Sequence, residues 1–115
     1  MQKYMYLFRG GDAARAASSP EEMQKHLTKW GAWFKGLADK GQFVGGEPLD
    51  VTGKVLRGSK KALSDGPFAE AKDLVGGYAI VNAKSLDEAV VIARGCPIFE
   101  HDGILEVRPV REMQL

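Results

Sequence analysis

Apolar and aromatic side chains occupy both alternating faces of Lys3-Tyr4-Met5-Tyr6-Leu7-Phe8, the pattern of a strand covered on both sides. After a Gly/Ala/Ser stretch from Gly10 to Ser18, the period changes. Ser19-Pro20-Glu21-Glu22 reads as a helix start, with Ser19 as N-cap, Pro20 at the first helical position and Glu22 closing a capping box. Met23, Leu27, Trp30, Phe34 and Leu37 then recur at steps of four, three, four and three, which makes one apolar stripe on a helix ending at Gly41.

Gln42-Phe43-Val44 reads as a short strand that breaks at Gly45-Gly46. Val55-Leu56 and Lys61-Ala62-Leu63 form a candidate hairpin around Arg57-Gly58-Ser59-Lys60. A further strand, Gly77 to Ala83, leads into a second capping box, Ser85-Leu86-Asp87-Glu88, and a helix from Leu86 to Arg94 that stops at Gly95 with Pro97 beyond. Ile104 to Val110 alternates again and predicts the last strand. The order β-α-β-(hairpin)-β-α-β predicts an α+β fold of the ferredoxin-like split β-α-β type with an antiparallel sheet. Helices then cover one face of the sheet only, so the second face needs another partner. Tyr78 and Ile80 against Ala79 and Val81 repeat the two-sided pattern of the first strand, and a second copy of the sheet is the simplest cover. The expectation is a homodimer, its two sheets packed face to face into a dimeric α+β barrel.

Composition narrows the function classes. The 115 residues are 44% hydrophobic and 27% charged, with no linker or low-complexity tract, and fit one domain over residues 1–115. Sixteen basic and fifteen acidic residues leave a formal net charge of +1, and the basic positions are scattered, so nucleic acid is not an expected partner. No apolar run approaches the roughly 20 residues that span a bilayer, and the start of the chain goes straight into a strand pattern, which gives a cytoplasmic address and no membrane role by default. Cys96 is the single cysteine, and no Cys/His cluster has metal-site spacing. No phosphate loop, dinucleotide fingerprint or Gly-x-Ser-x-Gly elbow occurs, so no nucleotide cofactor and no ordinary hydrolase is indicated.

Candidate chemistry is therefore sparse. His26 lies on the shoulder of the apolar stripe, about a turn before Trp30, and is the first candidate acid/base group; Trp30 and Trp33 would line its cleft. His101-Asp102-Gly103 reads as a turn, and Cys96 as a small, partly buried apolar residue. The second candidate base is Asp65, in Ser64-Asp65-Gly66-Pro67-Phe68-Ala69-Glu70-Ala71-Lys72: a carboxylate at a pocket mouth, oriented by the Gly66-Pro67 bend, with Phe68 turned inward and Glu70 beside it. Arg108, which shares a strand face with Glu106, is a candidate anchor for an anionic ligand. A small aromatic or anionic molecule is the expected ligand, bound by Trp30, Trp33, Phe68, Glu70 and Arg108.

That Ser64–Lys72 segment, followed by Leu74-Val75-Gly76-Gly77-Tyr78 and, near the end, by Glu106-Val107-Arg108-Pro109-Val110, resembles the YCII-related family in its DGPF branch, over essentially the whole chain. The resemblance implies the dimeric α+β barrel and, since relatives are often encoded near or joined to sigma factors of the extracytoplasmic type, a regulatory setting. It also implies a site to inspect: some relatives pair a histidine on the first helix with an aspartate before the proline that follows the second, and one branch includes a dehydrochlorinase. The matching positions here are Trp30 and Cys96, so that acid/base pair is not retained. The expected function is a small-molecule binding or accessory protein linked to transcription regulation; the alternative is a cofactorless lyase or isomerase with a relocated base such as His26.

Overall fold

The computed structural model describes residues 1–11, 16–66 and 73–114. Among these, chain order runs β1 (Gln2–Arg9), α1 (Pro20–Asp39), β2 (Phe43–Pro48), β3 (Gly53–Arg57), β4 (Ala62–Gly66), β5 (Val75–Ala83), α2 (Leu86–Ala93), a 3-10 turn (Pro97–His101) and β6 (Ile104–Pro109). β2, β5, β1 and β6 lie side by side in that order in an antiparallel sheet, and β3 with β4 forms a separate two-stranded hairpin. This is the ferredoxin-like α+β arrangement.

β1 is central because it is paired along both edges, Tyr6 standing opposite Ala79 on one side and Val107 on the other. Its Tyr4, Tyr6 and Phe8 side chains are buried on the helix-covered face with Ala79, Val81 and Ala83 of β5. The opposite face carries Met5 and Leu7 next to Ile80 and Tyr78, all half-buried. A hydrogen bond ties sheet to helix: the Tyr6 hydroxyl donates to the carbonyl of Ala89 in α2 at 2.5 Å. Burial raises the Tyr6 phenol well above its ordinary range, so the group stays a donor.

Both helix starts form as their sequences direct. Ser19 Oγ accepts from the Glu22 amide and Ser85 Oγ from the Glu88 amide, each at 3.1 Å. The Glu88 carboxylate reaches the Lys84 amide instead of that of Ser85, one residue beyond the box geometry. α1 closes at Gly41, whose φ of 70° suits a residue without Cβ.

Two expectations need correction. The inward face of α1 is wider than the predicted stripe: Trp30, Phe34 and Leu37 pack on the core as expected and Met23 lines the cavity beneath the helix, but the face also takes in His26 and Trp33. Leu27 is 55% exposed, while His26, Trp30, Trp33 and Leu37 face the sheet side, His26 being only 7% exposed. His26 and Trp33 stand one position before Leu27 and Phe34 and share their side of the helix, and the two indoles cover more apolar surface than Leu27 could. β2, for its part, does not break at Gly45-Gly46. The register slips by one residue between Phe43 and Gly45 and pairing continues to Pro48, and the backbone lies close to β5 at Gly46: a Cβ there would stand 2.5 Å from the Tyr78 carbonyl oxygen.

Tyr6→Phe removes the sheet-to-helix hydrogen bond without removing the ring, and is expected to cost about 0.5–1.5 kcal/mol in urea denaturation. A midpoint equal to that of the unsubstituted protein would show that the bond contributes nothing net.

Candidate functional site

A cavity of about 530 Å³ lies between the N-terminal half of α1 and one end of the sheet. Its floor is low because the helix-facing positions there are glycines. Gly77 stands beside Phe8 of β1 and Pro48 of β2, and Gly46 beside Ala79, so neither raises a side chain toward the helix. The walls are aromatic: Trp30 meets Phe8 edge-on at 5.0 Å and Phe34 at 5.7 Å, and Phe34 meets Phe43 at 5.4 Å. Where α1 continues past the cavity, Leu37 is buried in the core and the space closes.

His26 and His101 supply polar groups to one end of the cavity. Their rings stack 3.9 Å apart. Each nitrogen of His26 is engaged: the Trp30 indole N–H donates to Nε2 at 2.9 Å, and Nδ1 lies 3.3 Å from Glu100 Oε2. An indole N–H can only donate, so Nε2 carries the lone pair and Nδ1 the proton, which is directed at Glu100. Glu100 in turn accepts from Lys29 Nζ at 2.8 Å. Lys29, and after it His26, holds the Glu100 carboxyl below the usual carboxylate range, so that carboxylate is ionised.

The other candidate residues are dispersed. Trp33 does not face the cavity: its indole N–H donates to the Ile92 carbonyl at 3.3 Å and its ring stacks on Tyr6, which makes it a core residue between α1 and α2. Asp65 is an exposed carboxylate on β4 that pairs with Lys54 across the hairpin, so the buried base at a pocket mouth is not found within one chain. Arg108 is exposed on the sheet face away from the helices, 3.8 Å from Glu106, and has no access to this cavity. Phe68 and Glu70, with the rest of Pro67–Lys72, lie outside the described residues.

Sequence reasoning missed His101 as a site residue. It looked like part of a turn, and it is one: Asp102 follows it at φ 55°. Only the tertiary fold lays its ring on His26, and only the pairing of β2 with β5 shows that Gly46 and Gly77 leave side-chain volume empty.

The family model described as the YCII-related domain matches residues 3–114, and the chain belongs to the YCII-related family. No curated protein matches it. Among solved structures, it is similar to 5-chloro-2-hydroxyhydroquinone dehydrochlorinase from Burkholderia phenoliruptrix AC1100, in complex with 2,5-dihydroxybenzoquinone, at 19% identity and a TM-score of 0.42 over 92% of this chain and 91% of that one. Among the described residues no helix is long and apolar enough to cross a membrane.

Cys96 is buried, and burial pushes its thiol up to about 12. Alkylation by iodoacetamide at about pH 8 is expected to run at least ~100-fold slower in the folded protein than in urea. Equal rates in both conditions would contradict a buried, protonated thiol.

Proposed function

We propose that the cavity binds a small, largely apolar aromatic molecule, and that the protein is a binding or accessory module. One observation carries this reading: both ring nitrogens of the histidine in the cavity wall are already satisfied, so His26 has no free lone pair with which to take a substrate proton. What is left facing the void is mostly aromatic and glycine surface, suited to a planar ring. If the protein works beside a transcription factor, as the family resemblance implies, the bound molecule is its input signal. A lyase or isomerase is the second reading, favoured by the place of His26 beside open volume; it requires the Trp30 indole to leave Nε2 before any proton transfer.

Titration with benzyl alcohol, followed by the NMR resonances of Trp30 and Gly77 and by the thermal midpoint, tests the binding reading. Dissociation constants on the order of micromolar to millimolar are expected for so small a molecule. Unmoved resonances up to ~10 mM would overturn it.

We also propose that the sheet face bearing Met5, Leu7, Tyr78 and Ile80 packs against the same face of a second copy. Half-buried apolar side chains on neighbouring central strands support this. Sedimentation is expected to report twice the 12.5 kDa chain mass, and Ile80→Asp to return the monomer. A monomer at micromolar concentration before substitution would rule the pairing out.

A further inference from the structure

The Trp30-to-His26 hydrogen bond cannot survive protonation of His26. A neutral imidazole offers one acceptor nitrogen, and here the indole takes it; an imidazolium carries N–H on both nitrogens, so Nε2–H would confront the indole N–H donor to donor. The same proton is welcome on the other side of the ring, where Nδ1–H points at the ionised Glu100. The ring therefore stands between one neighbour that requires the neutral form and one that favours the cation.

Among the described residues, the titratable groups facing His26 are Lys29 on its own helix and Glu100 and His101 on the 3-10 turn, while Glu47 and Tyr78, paired across β2 and β5 at the cavity rim, carry their side chains on the opposite sheet face. Lys29 opposes a second positive charge but is itself paired with Glu100. His101, stacked at 3.9 Å, disfavours charge on both rings at once. Trp30 is held in the wall by Phe8, Trp33 and Phe34 through ring contacts that do not involve its N–H, so the indole can give up the bond without leaving the wall.

We infer that His26 and Trp30 form a proton-operated selector in the cavity wall. With His26 neutral, the indole caps Nε2 and the cavity offers an apolar aromatic surface. When a proton from solvent adds to Nε2, the indole bond breaks and Nε2–H becomes a donor facing the cavity, backed by positive charge. The site then takes a ring bearing a carboxylate in preference to its uncharged counterpart. This ligand preference rests on the binding reading given above; the indole switch does not.

The two indole N–H resonances of ¹⁵N-labelled protein, assigned with Trp30→Phe, provide the test, with Trp33 as internal control because its partner is the Ile92 carbonyl. As the pH is lowered, the Trp30 resonance is expected to move with the His26 ring signals while Trp33 stays still. Glu100→Gln, an exposed substitution that spares the core, should lower the midpoint of that transition. A stationary Trp30 resonance, or a midpoint indifferent to Glu100→Gln, would overturn the switch.

Benzoate and benzyl alcohol, titrated across the same transition, test the ligand preference. The ratio of their affinities is expected to turn toward benzoate by about tenfold at the acidic end, the worth of one charge-assisted hydrogen bond. An unchanged ratio overturns the preference. Failure of both probes to bind at either pH overturns the binding reading and the preference with it, while the indole resonances decide the switch separately.

Discussion

The pairing of β1 along both of its edges is the constraint on which the rest of the molecule depends. A strand in that position has no edge to give to water, so its side chains must be accommodated above and below. On one side Tyr4, Tyr6 and Phe8 draw down α1 and α2, and Tyr6 fixes the second helix by a hydrogen bond as well as by area. On the other side Met5 and Leu7 leave a half-covered apolar surface.

The cavity follows from a mismatch between the helix that crosses this sheet and the sheet itself. α1 brings bulky rings to its inner face from His26 to Phe34, but β2 and β5 answer them with side chains only toward its C-terminal half. Toward the N-terminal half they answer with Gly46 and Gly77. Protein interiors do not leave such volume unfilled without consequence, since lining atoms forgo contacts they would otherwise make. Here the rings lean on one another, edge to face, and hold the space open.

Much of this architecture was legible in the sequence because it is local. Capping residues, the period of α1 and the two-sided pattern of β1 each depend on neighbours a few positions away, and the strand order follows once the elements are known. The continuity of β2 was not legible, because glycine pairs mark both chain breaks and close backbone approach, and only β5 decides between them. Within the site, His26 and Trp30 could be found from helical spacing. Asp65 could not be judged, since its exposure depends on where the hairpin lies, and Trp33 was misjudged because its partner Ile92 is far along the chain. The histidine stack escaped for the same reason: a turn residue and a helix residue become neighbours only after the sheet has formed.

The register slip in β2 has a bearing on assembly. β2 and β6 are the outer strands of the sheet, and each ends in proline, Pro48 on one and Pro109 on the other, with the register slip falling on β2. Proline lacks an N–H to offer an added strand, and a slipped register presents an uneven ladder. Lateral growth of the sheet is thereby discouraged at both margins. In the proposed face-to-face pairing the two apolar faces, once joined, are used up, which favours assemblies that close over those that propagate.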